Sequence, residues 1–301
     1  MTTPRLTAVL ACHNRRDRTL ACLEALLNQD RAVDLRVVLF DDGSGDGTAA
    51  AVRRRVPEAH IITGDGSAFW AGGMRAAFAA ASATDADFML WLNDDVHLAS
   101  DAVGRLLDAY RGLVAEGHGF CLVGGAVVDP IDGRTTYAGI RRPSAWRPLR
   151  FQVQPPDPVE RLRCDTLVGN VVLVPRLTAA RVGGIGTAYR HTLGDLDYGL
   201  RVTAAGGWVG LAPGHCGTCA REGAGRWFDP ALPLRARWRL VGRPLGFPLR
   251  PWLHFARQHG GPFWFAFAAL PFWRLLVPPR LARLVDRMRR DPSPTGRTRH
   301  A

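Results

Sequence analysis

Four short polar clusters in this 301-residue chain combine carboxylates, amides, an imidazole and a thiol at spacings suited to chemistry. They are Cys12-His13-Asn14-Arg15-Arg16, Asp41-Asp42-Gly43-Ser44, Asn93-Asp94-Asp95 and Gly194-Asp195-Leu196-Asp197-Tyr198. The third carries the sharpest signal. Adjacent carboxylates directly behind an all-apolar run are costly to hold unless a cation binds them. Hard divalent ions commonly bridge such carboxylates to substrate phosphates, and a diphosphate leaving group needs that neutralisation. The fourth cluster offers carboxylates able to take a proton from a hydroxyl. Any one cluster alone reads as well as a solvated loop or a helix cap, which Asp and Asn favour for backbone reasons. Four together, at strand ends expected to converge, argue for a site.

The elements that must position these clusters alternate in type. Leu6–Ala11 is a short apolar run, and the leucines at 20, 23, 26 and 27 give residues 17–28 a helical spacing. Leu35–Phe40 reads as a second strand, residues 48–55 as a helix, and His60–Thr63 as a third strand. Residues 71–83 and 101–115 read as helices on either side of the strand Phe88–Leu92. This alternation predicts an α/β fold with a parallel sheet, whose ligands sit at the carboxyl ends of the strands. Beyond residue 120 the pattern changes. Strands are expected over 120–128, 134–140 and 167–174, a proline-rich loop over 142–160, and a helix over 194–205.

Composition narrows the class. Hydrophobic residues make up 47% and charged residues 22%, which excludes a disordered, collagen-like or coiled-coil chain. Six cysteines are too few for a disulfide scaffold, and the first strand begins too early for a signal peptide, so the expectation is the reducing cytoplasm. His215-Cys216-Gly217-Thr218-Cys219 holds one CxxC pair without a second, so zinc is disfavoured. No GxGxxG follows the first strand and no GxxxxGK[ST] occurs, against a dinucleotide dehydrogenase or a P-loop enzyme. All 39 basic residues are Arg, which makes any single Arg weak evidence of function. Their distribution says more. Residues 1–220 hold 23 Arg and 23 acids, whereas residues 221–301 hold 16 Arg and 4 acids, so the whole net charge of +12 lies in the last part.

In order and spacing, TAVLACHNRRD, VVLFDDGSGDGT, Trp70-Ala71-Gly72-Gly73-Met74, FMLWLNDDV, VGNVVLVPR and GDLDYGLR resemble a family-two, inverting glycosyltransferase of the GT-A fold. The similarity is greatest to the bacterial branch containing rhamnosyl- and galactofuranosyl-transferases, and runs from about Thr7 to about His215. The resemblance implies a nucleoside diphosphate sugar donor, dTDP- or UDP-linked, a glycan or lipid-linked hydroxyl acceptor, and Mg2+ or Mn2+. It implies Cys12, His13 and Asn14 beside the nucleotide, Asp41 accepting the imide N–H of uracil or thymine, and Asp42 near the ribose. Gly72 and Gly73 would let backbone approach the nucleotide-sugar. Asn93-Asp94-Asp95 occupies the DXD position with Asn in place of the first acid. Asp95 is then the main metal ligand and His215 completes the metal site, with Asn93 and Asp94 beside the ribose or a phosphate. Asp195 matches the catalytic base, and Asp197 is its rival. The alternative is a catalytically inactive protein of this fold, or an adaptor using the basic tail.

The expected organisation is a catalytic domain over 1–225, a basic aromatic-rich helical extension over 226–290 and a disordered tail over 291–301. The apolar stretch 261–277 is broken by Pro262, Pro271 and Arg274, against a spanning helix. Arg mixed with Trp and Phe suits the surface of an anionic membrane, here the inner face of the cell membrane. Packing of the aromatics on the catalytic domain is the competing expectation, and nucleic acid is disfavoured as a partner.

Overall fold

A computed structural model describes residues 3–220, 232–243 and 247–272. Four parallel strands form its first half: β1 (Arg5–Cys12), β2 (Asp34–Asp41), β3 (His60–Thr63) and β4 (Phe88–Leu92), in the spatial order β4-β1-β2-β3. The register pairs Cys12 with Asp41 and Asp41 with Thr63, so the first three strands end flush. Their continuous apolar runs are explained by burial on both faces. Leu6, Ala8, Leu10 and Cys12 face one core and Val9 the other, which is the period-two alternation of a strand.

The first core lies under α1 (Arg16–Leu27), α2 (Thr48–Arg55) and α4 (Ala102–Ala115), which contribute Cys22, Leu23, Val52, Val103 and Leu107. The second lies under α3 (Phe69–Ser82) and α6 (Gly194–Ala204), which contribute Met74, Phe78, Tyr198 and Leu200. Beyond β4 the sheet becomes mixed. β12 (Val171–Pro175) runs antiparallel between β4 and β6 (Cys121–Val128), and α5 (Arg176–Val182) follows it. β13 (Trp208–Thr218) pairs parallel with β6, and β10 (Leu162–Cys164) closes the edge. Two short strands, β5 (His97–Leu98) and β7 (Thr135–Tyr137), pair with β13 and β6.

Three expected elements are revised. The strand expected over 134–140 divides into β7 and β8 (Gly139–Arg141), which belong to different sheets. The strand expected over 167–174 breaks at residues 168–170. β11 (Thr166–Leu167) pairs with β8, while β12 stays in the main sheet. The proline-rich loop contains β9 (Gln152–Gln154), the far edge of this three-stranded sheet. The break before β12 falls at the glycine-containing step 168–170, whereas only Ala138 separates β7 from β8, and neither break is marked by a change of period.

The extension is helical where it is described: α7 (Leu234–Leu240), α8 (Leu249–His259) and α9 (Trp264–Ala269). On α8, Trp252, Phe255 and Ala256 are buried, and the two aromatics join the second core. The Trp252 indole N–H donates to the Ala268 carbonyl at 2.9 Å, tying α8 to α9. Packing on the catalytic domain therefore accounts for part of the aromatic content. Leu253, Phe263, Phe265 and Leu270 remain exposed. Among the described residues no helix is long and apolar enough to cross a membrane. The tail expected over 291–301 lies outside the described residues.

Candidate active site

The loops after β1, β2 and β4, the start of α3 and the start of α6 meet over the carboxyl ends of the parallel strands. Asp41 ends β2 and is buried, with Oδ1 accepting the Ser44 N–H at 2.9 Å. Its other oxygen makes no hydrogen bond among the described residues. The neighbouring Asp42 is fully engaged. Its carboxylate accepts three backbone N–H groups, from Gly66 at 3.0 Å, Ala68 at 3.2 Å and Phe69 at 2.8 Å. Asp42 thus fixes the loop that opens α3. The β1 loop is tied to the same corner: His13 Nδ1 lies 2.6 Å from the Asp42 carbonyl, and Asn14 accepts the Gly45 N–H at 2.8 Å. Cys12 is buried, and burial beside Asp41 pushes its thiol well above the ordinary cysteine value, so it stays protonated.

The glycines expected to admit the nucleotide-sugar lie inside α3. A Cβ on Gly73 would stand 2.8 Å from the Phe40 ring and 3.0 Å from the Ala11 methyl. Gly73 is there to bring α3 down onto β1 and β2. Gly72 is also buried, and its N–H donates to the Arg190 carbonyl at 3.2 Å, holding the 186–193 loop against the start of α3.

Asn93 follows β4, and its side-chain oxygen accepts the Trp70 indole N–H at 2.7 Å. Asp94 and Asp95 share one partner. Arg15 Nη1 lies 3.3 Å from Asp94 Oδ1 and 3.0 Å from Asp95 Oδ2. A guanidinium therefore stands between the two carboxylates, where a divalent cation bridging protein to phosphate would also find oxygen donors. The acids present fit such an ion. His215 is placed elsewhere: Nε2 lies 3.0 Å from Thr135 Oγ1, and its carbonyl accepts from Arg105. Burial and the nearby Arg105 hold His215 below the ordinary histidine value. No group of three or more His, Cys, Asp or Glu side chains placed to hold a metal occurs among the described residues. The structure thus does not gather His215 with Asp95.

The first turn of α6 separates the two candidate bases. Asp195 accepts the Gly169 N–H on Oδ2 and the Leu196 N–H on Oδ1, both at 2.9 Å. Dense surroundings raise its pKa by desolvation, partly opposed by these two peptide donors, with the nearby Asp197 adding a smaller upward push. As a residue, Asp195 is only partly buried. Burial pushes Asp197 up as well, but His259 and Arg201 override it and hold the carboxyl below the usual range. Its side chain is 2% exposed and already paired, which leaves the rival base no room to act.

Sequence reasoning passed over several participants. A Cβ on Gly169 would fall 2.7 Å from the Trp70 ring and 3.1 Å from Asp195 Cβ. The bare backbone at 169 is therefore what lets Trp70 and Asp195 converge. The only hint was the Gly-Asn dipeptide before β12, a loop signal. Positive φ at Asn14 (50°), Phe69 (55°) and Leu193 (73°) places rare backbone conformations at three corners of the site. Such strain clusters at functional sites.

Comparisons with known proteins agree with this geometry. The profile of the family described as glycosyl transferase family 2 matches residues 7–157. An N-acetylglucosaminyltransferase of Rhizobium sp. (strain N33) is 32% identical over 110 residues, covering 34% of this chain and 23% of that protein. One from Bradyrhizobium elkanii is 31% identical over 109 residues, covering 35% of this chain and 58% of that protein. The matched stretch thus spans less than two thirds of either relative. Among solved structures, mannosyltransferase PcManGT from Pyrobaculum calidifontis, in complex with GDP-Man and Mn2+, is similar in fold. Its TM-score is 0.55 at 18% identity, over 98% of this chain and 78% of that one. GalNAc-T7 with UDP, GalNAc and Mn2+ gives a TM-score of 0.55 at 12% identity, over 73% of this chain and 44% of that one. Both neighbours have the GT-A fold that this chain shares.

The Asp42 clamp generates a stability prediction. Asp42→Ala orphans three backbone donors at once and should destabilise the protein by roughly 2–3 kcal/mol, since removing a charged acceptor leaves its donors desolvated. Urea denaturation measures the change. A midpoint equal to that of the unaltered protein would show that the three hydrogen bonds contribute nothing net.

Proposed function

The chain belongs to glycosyl transferase family 2, and from that premise we propose that it moves a sugar, with inversion, from a nucleoside diphosphate sugar to a hydroxyl acceptor, with Asp195 as the base. The observation that carries this reading is the contrast on α6. Asp195 has a raised pKa, peptide donors alone on its carboxylate and a partly exposed position, whereas Asp197 is sealed by its partners.

Inversion needs one displacement at the anomeric carbon. The acceptor hydroxyl gives its proton to an Asp195 oxygen as its own oxygen bonds to that carbon. The bond from the anomeric carbon to the phosphate oxygen breaks in the same step, and the nucleoside diphosphate leaves with the electron pair. A single carboxylate suffices, and no covalent intermediate forms. The unengaged oxygen of Asp41 suits one N–H donor, as the imide of uracil or thymine presents, so a UDP- or dTDP-linked donor is favoured. Rhamnose and N-acetylglucosamine are both candidate sugars, the first by resemblance and the second because the named relatives are N-acetylglucosaminyltransferases. A glycan or a lipid-linked sugar is the proposed acceptor, in the synthesis of a cell-surface polysaccharide or glycolipid.

Asp95, with Asp94, would hold Mg2+ or Mn2+ against the diphosphate, and the ion would supply charge neutralisation for the leaving group. Arg15, now between these acids, would then be released toward the phosphates. His215 would have to leave Thr135 to join them.

A surface for an anionic membrane is proposed on the extension. Residues 232–272 contain six Arg and no Asp or Glu. Leu253, Phe263, Phe265 and Leu270 stand exposed on the same helices and turns. Basic residues near an anionic bilayer contribute about 1 kcal/mol each. Such binding would hold the enzyme at the cytoplasmic face of the cell membrane, beside lipid-linked acceptors.

Asp195→Asn should lower transfer by about 10²-fold or more while donor affinity persists, because general-base catalysis contributes on that scale. Near-normal turnover would move the base elsewhere. In the unaltered enzyme the base must be ionised, and its pKa is raised, so kcat should fall on the acid side at a pH above the ordinary aspartate value of 3.8. An acid limb at or below that value would contradict the assignment. Removing divalent ions with EDTA should abolish transfer, and Asp95→Ala should weaken donor binding at least about tenfold. Full activity in EDTA would leave Arg15 and its neighbours to carry the diphosphate. The complete chain should float with anionic vesicles at low salt, not with zwitterionic ones, and should release as salt screens the charges. Failure to bind either vesicle would reject the membrane surface.

A further inference from the structure

The helix that carries Asp195 is tied to the C-terminal extension through Asp197. Asp197 Oδ1 accepts a hydrogen bond from His259 Nε2 at 2.9 Å, and Oδ2 accepts from Arg201 Nε at 2.8 Å. The Tyr189 hydroxyl lies 3.1 Å from Asp197 Oδ1 and 3.2 Å from the side-chain oxygen of Gln258. His259 is itself 9% exposed and packs its ring 4.8 Å from that of Phe255. Arg201 lies on α6, and Tyr189 on the loop leading to it. His259 and Gln258 come from the last turn of α8, some 60 residues further along the chain, and reach the same carboxylate. They are the contribution of the extension to the first turn of α6.

We propose that His259 is a positioning residue for Asp195, so that the C-terminal extension completes the active site rather than merely adjoining it. The proposal rests on the reading of Asp195 as the base. Asp195 and Asp197 share one helical turn, entered through Leu193 in a left-handed conformation. That turn has no side-chain cap; it is held by Gly169 on Asp195, by Thr166 on the Leu196 carbonyl and by the three partners of Asp197, of which His259 alone comes from the extension. Asp195 must meet the acceptor hydroxyl within hydrogen-bond reach, and a displacement on the order of 1 Å can cost about 10²-fold in rate. Losing the His259 donor leaves Asp197 with one hydrogen-bond partner fewer and frees the turn to shift. The donor-side residues, Asp41 on β2 and Asp95 beyond β4, lie on other elements and keep their geometry.

The test compares three variants of the complete chain, with transfer kcat, donor affinity by calorimetry and thermal stability measured for each. His259→Ala should lower kcat about tenfold or more with donor affinity unchanged. His259→Gln, whose amide N–H reaches as far as the imidazole Nε2, should recover most of the loss. If the alanine variant does not fold, His259→Asn, too short to reach Asp197, takes its place against His259→Gln. Unchanged kcat in the short variant, equal losses of kcat and donor affinity, or no rescue by Gln would overturn the proposal. Asp195→Asn separates the two readings. Normal turnover there removes the base assignment itself, whereas an inactive Asp195→Asn beside a fully active His259→Ala removes only the role of His259.

Discussion

A carboxylate buried to 2% exposure beneath the start of α6 must be paired, and the manner of its pairing shapes the rest of the site. Asp197 collects an arginine from its own helix, a tyrosine from the preceding loop and a histidine from the extension. Two adjoining segments and one some 60 residues further along the chain are drawn to one point, two residues from Asp195. The same demand removes Asp197 from catalysis, because a carboxylate saturated by donors and held below the ordinary range is a poor base. Asp195, with peptide donors alone and a desolvated setting, is pushed the other way. Two carboxylates with opposite environments take opposite roles.

A second constraint is close approach. The bare backbone at Gly169 admits both Trp70 and Asp195, and Gly73 lets α3 settle onto the Phe40 ring. Asp42 spends its charge on three peptide N–H groups that fix the entry to α3, from which Trp70 reaches Asn93. Trp70 thus spans the space between Asn93 and the Gly169–Asp195 corner. Arg15 pairs with both Asp94 and Asp95, and the Cys219 thiol also reaches Asp95, so the clustered acids are tolerated at the strand end.

Much of this was legible in the sequence. Phe88–Leu92 is a strand at the expected bounds, and residues 48–55 are a helix, because short apolar runs and alanine-rich turns are decided locally. The four polar clusters do fall at strand ends and helix starts, which the α/β alternation implies. What the sequence could not carry was the use of each side chain. Asp41 and Asp42 are adjacent and identical in type, yet one keeps an oxygen available and the other is consumed by a loop 24 residues away. Gly73 lets α3 pack closely on Phe40 and Ala11, a use that the Gly-Gly pair alone does not reveal. His215 sits beside Thr135 through a strand pairing that no local pattern encodes. His259 lies in a region whose Arg and aromatic content suggested either a surface or packing on the catalytic domain, and its own contact is visible only once α8 is seated.

The central claim is a single displacement assisted by one carboxylate. The anomeric configuration of the first-formed product, followed by proton NMR from the earliest turnover of the donor the enzyme accepts, tests it most directly. The account predicts that the new glycosidic bond has the configuration opposite to that of the donor. A product that retains the donor's configuration would contradict it, since a single back-side displacement inverts the anomeric carbon.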